Sequence, residues 1–211
     1  MVMAREVSSD TVRRRTVVKG AAWATPAIVI GSAAPAMALS RPPGLQGWVT
    51  VGKSCDQGGW LQNDTLNVTI DGTGGNGANP PNDGTRGLWV FNTYGTTVLS
   101  DARLTVYYPN SLGSLSWSRV GSNQNWSVPG VDATAPAISG FTAYSTFYSG
   151  AWTFRGGHTN AIDDHHLAIG RPNFKASKSF SSCPGTLTLY SWRYVKIDGV
   201  PISFRRGPLS L

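Results

Sequence analysis

Apolar and polar residues alternate over short runs along most of the chain. In 66–70, for example, Leu66, Val68 and Ile70 fall on one side of an extended chain, and this period of two predicts a β-strand. Gly, Pro, Asn and Asp separate the runs, and no stretch after residue 40 repeats apolar residues at helical spacing. The runs that predict strands are 48–51, 66–70, 88–91, 102–108, 115–118, 141–148, 151–155, 174–180 and 186–197. We therefore predict an all-β fold, an antiparallel β-sandwich.

Turn residues refine this prediction at two places. Asp198-Gly199 stands between two strand-like runs and predicts a two-residue hairpin, because both central positions need a positive φ. Pro201 follows directly and has no N–H, so the last strand is expected at a sheet edge. The segment 71–87 has no aliphatic residue larger than Ala and predicts a flexible Gly-rich loop, whose Asp71 and Asp83 do not fit calcium-loop spacing.

The N-terminal segment has the pattern of an export signal. A basic run over 13–19 precedes an apolar, Ala-rich stretch without charge up to residue 40. The pattern Ala36-Met37-Ala38 predicts cleavage after Ala38, which leaves 39–211 as one domain. The run Arg14-Arg15-Thr16-Val17-Val18-Lys19 resembles the twin-arginine export motif, with Arg14, Arg15 and Lys19 as the motif residues.

Two other interpretations of this segment stay open. It fits an ordinary secretion signal, which also begins with basic residues, and its uncharged stretch is long enough for an uncleaved membrane anchor. With cleavage, the protein is expected to be secreted or held at the cell surface, and to touch the membrane only through the signal. Without cleavage, it would be N-terminally anchored.

Composition narrows the function classes. The chain of 211 residues has a net charge of +7, and the predicted mature part has 13 Lys and Arg against nine Asp, a net charge of about +4. These charges are scattered singly, without a basic stripe or a nucleic-acid motif, so we expect no nucleic-acid partner. The only two cysteines are Cys55 and Cys183. An isolated pair in an exported chain predicts a structural disulfide.

The stretch from His158 to Gly170 holds all three histidines and is where a metal or catalytic site is first sought. Asp163-Asp164 and His165-His166 are adjacent pairs, and neighbours on a strand point to opposite faces, so their side chains do not readily converge. Asp132 with Asp163 or Asp164 is the one carboxylate pair considered for glycoside cleavage, and the sequence gives no sign of convergence. We predict a polar hairpin loop here, no catalytic or metal-binding residue, no cofactor and no enzymatic activity.

Aromatic residues are the stronger functional indication. In 141–148, alternation places Phe141 and Phe147 on one face and Tyr144 and Tyr148 on the other. If the phenylalanines face the core, the tyrosines face solvent and offer a surface for stacking or protein contact. The residues predicted for such a binding face are Tyr144, Tyr148, Trp117 and Trp126. The alternative is that the tryptophans fill the core and the tyrosines only line a strand face.

One passage resembles a known type of module. It comprises an Asn92-Thr93-Tyr94-Gly95 turn, a strand over 104–108 that ends at Pro109, and then Trp117 and Trp126. This arrangement is similar to the immunoglobulin-like modules repeated in bacterial surface proteins, and with the signal the chain resembles small exported actinobacterial surface proteins. The resemblance implies an immunoglobulin-like sandwich that is structural or adhesive and non-catalytic. Its partner would be a cell-envelope glycan or another surface protein, and the alternative is a carbohydrate-binding or carbohydrate-active protein.

Overall fold

Strands, turns and one short 3-10 helix make up the residues that the computed structural model describes, which are 42–47, 49–73, 87–122, 124–156 and 164–211. The strands are β1 Gly44–Gln46, β2 Thr50–Asp56, β3 Asp64–Asp71, β4 Trp89–Phe91, β5 Leu99–Pro109, β6 Trp117–Arg119, β7 Gly130–Val131, β8 Phe141–Phe147, β9 Trp152–Arg155, β10 His165–Ala168, β11 Asn173–Phe180, β12 Thr188–Ile197 and β13 Val200–Ser210. The 3-10 helix, Asn110–Leu112, follows β5. The all-β prediction is confirmed.

These strands form antiparallel sheets around a main hydrophobic core. Sheet I has the order β1-β4-β10-β9, sheet II has β2-β3-β11-β6, and sheet III has β13-β12-β5-β8-β7. A continuous cluster of buried apolar side chains takes Val90 from sheet I, Val68 from sheet II and Val106 from sheet III. Alternation along each strand sends such side chains inward and the polar ones outward, which is how a β-sandwich encloses its core.

The hairpin of β12 and β13 confirms two local predictions. Asp198 and Gly199 have φ angles of 48° and 81°, as a two-residue turn with positive φ requires. Ile197 then pairs with Val200, and β13 lies at the edge of sheet III. Pro201 is therefore on an edge strand, where its missing N–H costs no hydrogen bond within the sheet.

The two cysteines are joined, as the sequence predicts. Cys55 near the end of β2 and Cys183 in the β11–β12 connection form a disulfide with 6.2 Å between their Cα atoms. It links parts of the chain 128 residues apart, within the compact unit Pro42–Leu211. In the part of the chain described, no helix is long and apolar enough to cross a membrane.

Some strands were not predicted, and some predictions concern residues outside the described part of the chain. The short strands β1, β7 and β10 were not expected, because two to four residues in register leave no recognisable alternation in the sequence. The signal segment 1–38, with Arg14, Arg15, Lys19, Ala36 and Ala38, lies outside the described residues, as does most of the Gly-rich loop over 71–87. Those two interpretations stay predictions.

Candidate functional site

Strand β8 faces the opposite way from the predicted orientation. Tyr144 is 2% exposed and Tyr148 is also buried, whereas Phe147 is 46% exposed on the outer face. Alternation determines which residues share a face, but both faces of this strand carry aromatic rings, so it does not determine which face is inward. The structure satisfies the polar ends inside: the Leu115 N–H donates to the Tyr144 hydroxyl at 2.9 Å, and the Tyr148 hydroxyl donates to the Ile169 carbonyl at 3.1 Å.

The two tryptophans of the predicted binding face also belong to the core. Trp126 is 1% exposed, and its indole N–H donates to the Gly170 carbonyl at 3.1 Å. Trp117 is half-buried, with its ring centre 5.7 Å from that of Tyr108 and 6.1 Å from that of Tyr144. The prediction of a binding face made of Tyr144, Tyr148, Trp117 and Trp126 is therefore wrong, since these side chains pack together instead of facing a ligand.

The histidine stretch contains a strand instead of the polar loop predicted for it. His165–Ala168 forms β10 in the middle of sheet I, between β4 and β9. His166 is buried, and its Nδ1 shares a hydrogen bond of 2.9 Å with the hydroxyl of the buried Thr93. That partner lies 73 residues away, so no local pattern revealed that the histidine could be satisfied inside. His158 and Asp163 lie outside the described residues.

The divergence of the two neighbouring histidines is confirmed. His165 makes an edge contact with Trp89 at 5.4 Å between ring centres, and His166 packs at 4.9 Å against Phe154. The first contact is on one face of sheet I and the second is on the other. Burial, with a smaller effect from the neighbouring His165, lowers the pKa of His166 below its ordinary value of 6.5, so His166 is held neutral.

Asp132 is engaged in a structural network on the outer face of sheet III. Its carboxylate pairs with Arg103 at 3.0 Å and accepts hydrogen bonds of 2.6 Å from the hydroxyls of Ser145 and Thr134. Burial raises the pKa of Asp132, but these hydrogen bonds and the Arg103 charge outweigh it and keep the pKa below 3.8. A carboxylate held in this way is a poor proton donor. Asp164, its possible partner for glycoside cleavage, directly precedes β10 of sheet I, whereas Asp132 lies against sheet III.

The same network holds the segment after β7 onto the sheet. The Arg103 guanidinium lies 4.7 Å from the ring centre of Trp192 and 4.9 Å from that of Tyr194. The Tyr107 hydroxyl donates to the Pro136 carbonyl at 2.9 Å. These contacts cover a second small apolar cluster formed by Tyr107, Ala135 and Trp192. The ion pair of Arg103 and Asp132 thus helps to hold the segment after β7 against sheet III.

A different pair of side chains is presented to solvent. Trp60 is 100% exposed and Leu61 is 93% exposed, at the turn that connects β2 to β3. We call these two residues the hairpin tip. The sequence held a usable signal, because a lone Trp and Leu after Gly58-Gly59, outside any alternating run, has no strand through which to enter the core.

The base of this hairpin is tied to the neighbouring connection. The Asp64 carboxylate accepts the N–H of Gly58 at 3.0 Å and the N–H of Cys183 at 2.9 Å. The Lys53 ammonium donates to the carbonyls of Pro184 and Gly185. The disulfide joins the same two segments, so the hairpin is held by a covalent bond, a bridging carboxylate and a bridging ammonium.

The turn requires a glycine at position 58 but not at position 59. A Cβ on Gly58 would collide with the carbonyl oxygens of Gln62 and Asn63, whereas a Cβ on Gly59 would meet nothing within 4 Å. The Gln62 N–H donates to the Gly59 carbonyl at 2.8 Å and closes the turn. Gly58 therefore allows the close backbone approach that brings Trp60 and Leu61 to the outermost point.

The one grouping with metal-ligand atom types among the described residues is at this base. Sulfurs of Cys55 and Cys183 and a carboxylate oxygen of Asp64 lie within 4.8 Å of one another. The two sulfurs are bonded to each other and are not thiolates, which zinc would require. Asp64 accepts two backbone N–H groups instead. The grouping is thus an anchor for the hairpin.

No protein-family model matches the sequence, and no curated protein is significantly similar to it. Function is therefore inferred from the geometry of the described residues. Within them, Trp60 and Leu61 are the most exposed of the large apolar side chains, and their burial in the fold contributes nothing to its stability.

Proposed function

We propose that this chain is an exported, non-catalytic adhesive module that docks on another surface protein through the hairpin tip. The observation that carries the proposal is the near-complete exposure of Trp60 and Leu61 on a turn whose base is fixed by a disulfide. Adjacent exposed apolar side chains are unfavourable in water, and Trp is the residue most enriched among those that dominate binding energy at interfaces.

Rigidity strengthens this interpretation. An anchored hairpin loses little conformational entropy when its tip enters a partner, so more of the burial energy of Trp60 and Leu61 is available for binding. The ties from Asp64, Lys53 and Cys55 to the 183–185 segment provide that rigidity. A tip needed only to close the β2–β3 connection would require none of this apolar surface.

The charges around the tip favour a macromolecular partner over a bilayer. Membrane-surface anchors combine apolar side chains with Lys and Arg that are attracted to anionic lipids. The segment 57–63 has no charged residue, and Asp56 and Asp64 stand at either end of it. The nearest cation along β2, Lys53, is already used on carbonyl groups. An anionic membrane surface would thus repel this hairpin more than attract it.

The pairing of Trp60 with Leu61 favours a protein pocket over a glycan. Sugars are held by aromatic faces combined with polar groups that hydrogen-bond their hydroxyls, and a branched aliphatic side chain contributes little to that. Leu61 beside an indole suits an apolar pocket, which both side chains would fill together. The inward orientation of Tyr144 and Trp126 also removes the aromatic face on which the carbohydrate alternative depended.

Export and the lack of catalysis are supported by separate features. The twin-arginine-like motif and the resemblance to bacterial surface modules favour export, and the disulfide is typical of oxidising compartments outside the cytoplasm. His165 and His166 point to opposite faces, and Asp132 is fully engaged by Arg103, Ser145 and Thr134. Among the described residues, these three side chains therefore form no acid–base pair around a shared space.

The experiment is co-sedimentation of the purified, disulfide-intact protein with envelope fragments of the producing cell. We expect saturable binding that the double substitution Trp60→Ala, Leu61→Ala reduces at least tenfold. The matched control is Tyr94→Ala with Val98→Ala, which also removes an exposed aromatic and an exposed aliphatic residue, at a different turn. The control is expected to bind as the unchanged protein does.

Treated fragments identify the class of partner. Protease digestion of the envelope is expected to abolish binding. Removal of the glycans from the fragments tests a carbohydrate partner, and anionic phospholipid vesicles used in place of the fragments test a membrane partner. Binding that survives protease but is lost with the glycans would support the carbohydrate alternative. Equal binding by the tip variant and the control would contradict the role of the hairpin tip.

A further inference from the structure

A second feature of the molecule is a buried positive charge in sheet III, which does not contain the hairpin tip. Arg193 in β12 points to the inner face of sheet III and is 4% exposed. Its Nε is buried without a hydrogen-bond partner among the described residues. The ion pairs found in that part of the chain join Arg103 to Asp132 and Lys196 to Asp101, so neither involves Arg193. A buried guanidinium without a counter-charge is strongly unfavourable.

A second arginine stands beside it. In the register of β12 and β13, Ser191 is opposite Arg206 and Arg193 is opposite Phe204, so these four residues share one face of the sheet. Burial, with a smaller effect from the positive charge of Arg206, lowers the pKa of Arg193 to about 10. Like charges that are placed together repel, and an anion between them relieves the repulsion.

We propose that Arg193 and Arg206, with the hydroxyl of Ser191, form a binding site for an oxyanion, the chemistry shared by phosphate and carboxylate groups. Guanidinium groups present a planar fork of N–H donors that matches two oxygens of such a group. Arg193 supplies a charge already removed from water, and Arg206 supplies an exposed charge at the entrance. The hydroxyl of Ser191 adds a donor on the same face.

The position of the site leaves a way in for a ligand. β13 is the edge strand of sheet III, and among the described residues no strand pairs with its outer side. Arg206 is exposed, and Phe204, whose ring centre is 5.9 Å from the Arg193 guanidinium, is also partly exposed. An anion bound at Arg206 would therefore lie at the open edge of the sheet, on the face that carries Arg193.

Thermal unfolding of the full folded protein tests the proposal. Melting temperatures are measured in sodium phosphate, sodium acetate and sodium chloride at neutral pH and equal ionic strength. Binding to the folded state alone raises the melting temperature, and we expect a saturable rise of about 3 °C in phosphate over chloride. Acetate shows whether a planar carboxylate is bound as well, which indicates whether the natural ligand is a phosphate or an acidic side chain.

The variants separate the site from general salt effects. Arg206→Ala is expected to lose most of the rise and Arg193→Met all of it. Arg205→Ala is the matched control, because Arg205 is opposite Trp192 and thus on the other face of the same strand. It should keep the full rise. An equal rise in all four proteins, or no rise in the unchanged protein, would overturn the proposal, and Arg206→Ala decides it even if Arg193→Met does not fold.

Discussion

Strand β8 and the turn between β2 and β3 both carry aromatic side chains, and the fold uses them in opposite ways. In β8, Tyr144 is buried and its hydroxyl has a hydrogen-bond partner inside the core. In the turn, Trp60 is fully exposed beside Leu61. The difference follows from local geometry: a strand with neighbours on both sides turns one face into the sandwich, whereas a closed turn projects its side chains outward.

This contrast indicates that the aromatic residues of β8 stabilise the fold, whereas Trp60 at the hairpin tip is available for binding. Aromatic density along a strand is typical of a core, because the alternation that brings rings together also stacks them between sheets. A single Trp after two glycines, at the outermost point of an anchored hairpin, has no such use. Substitutions in β8 are thus expected to change the free energy of unfolding, and substitutions at the hairpin tip to change binding.

The largest effect is expected at Tyr144. Replacing it with Ala removes a buried ring and the acceptor for the Leu115 N–H, so we expect a loss of about 3–5 kcal/mol in the free energy of unfolding. The control is Phe147→Ala on the opposite face of the same strand, which is 46% exposed and should cost far less. Urea denaturation measures both, and a costlier Phe147→Ala would reverse the orientation of β8.

The disulfide comes next. Replacing both Cys55 and Cys183 with Ser removes a link between segments 128 residues apart, and we expect a loss of about 2–4 kcal/mol in the free energy of unfolding. The same change frees the base of the hairpin and should weaken binding through the tip. Denaturation of the double variant measures the first effect, and envelope co-sedimentation measures the second. Undiminished binding would show that the anchor is not needed for the tip.

Much of the fold could be predicted from the sequence, and the reasons are local. The Asp198-Gly199 turn, the edge position of Pro201 and the long strands β3, β5, β11 and β12 follow from alternation and from turn chemistry confined to a few residues. The disulfide followed from there being only two cysteines. Each of these predictions needed no knowledge of what lies opposite in space.

The errors at His166 and β8 share a cause, which is that the deciding partner is distant in the sequence. His166 is buried because Thr93, 73 residues earlier, provides a hydrogen bond. The inward tyrosines after Phe141 are satisfied by distant groups: the Leu115 N–H donates to the Tyr144 hydroxyl, and the Ile169 carbonyl accepts from the Tyr148 hydroxyl. The hairpin tip is a different case, since its signal is local: Trp60 and Leu61 directly follow two glycines, outside any alternating run.

The third prediction compares the two glycines that precede the tip. Gly58→Ala forces a Cβ against the carbonyl oxygens of Gln62 and Asn63, and we expect a loss of about 1–3 kcal/mol in the free energy of unfolding, together with weaker binding. Gly59→Ala meets no neighbouring atom and is the matched control, which should leave both nearly unchanged. Equal effects of the two substitutions would contradict the geometry of the turn.

A smaller, pH-dependent effect is expected from His166. Burial lowers its pKa in the folded state, so on acidification the unfolded chain takes up a proton first, near pH 6.5, while folded His166 stays neutral. The stability from neutral His166 is therefore present above pH 6.5 and declines as the pH falls towards the folded-state pKa. The measurement is the drop in melting temperature between pH 7.5 and 5.5, which should be smaller in His166→Gln than in the unchanged protein. Equal drops would contradict a neutral, buried His166.

The smallest expected change in stability comes from the residue with the largest expected change in binding. For Trp60→Ala we predict a free energy of unfolding within about 0.5 kcal/mol of the unchanged protein, because an exposed side chain loses no buried contact. The decisive measurement is the affinity of this folded variant for envelope fragments, made beside its unfolding curve. The account predicts unchanged unfolding and at least tenfold weaker binding; unchanged binding would contradict it.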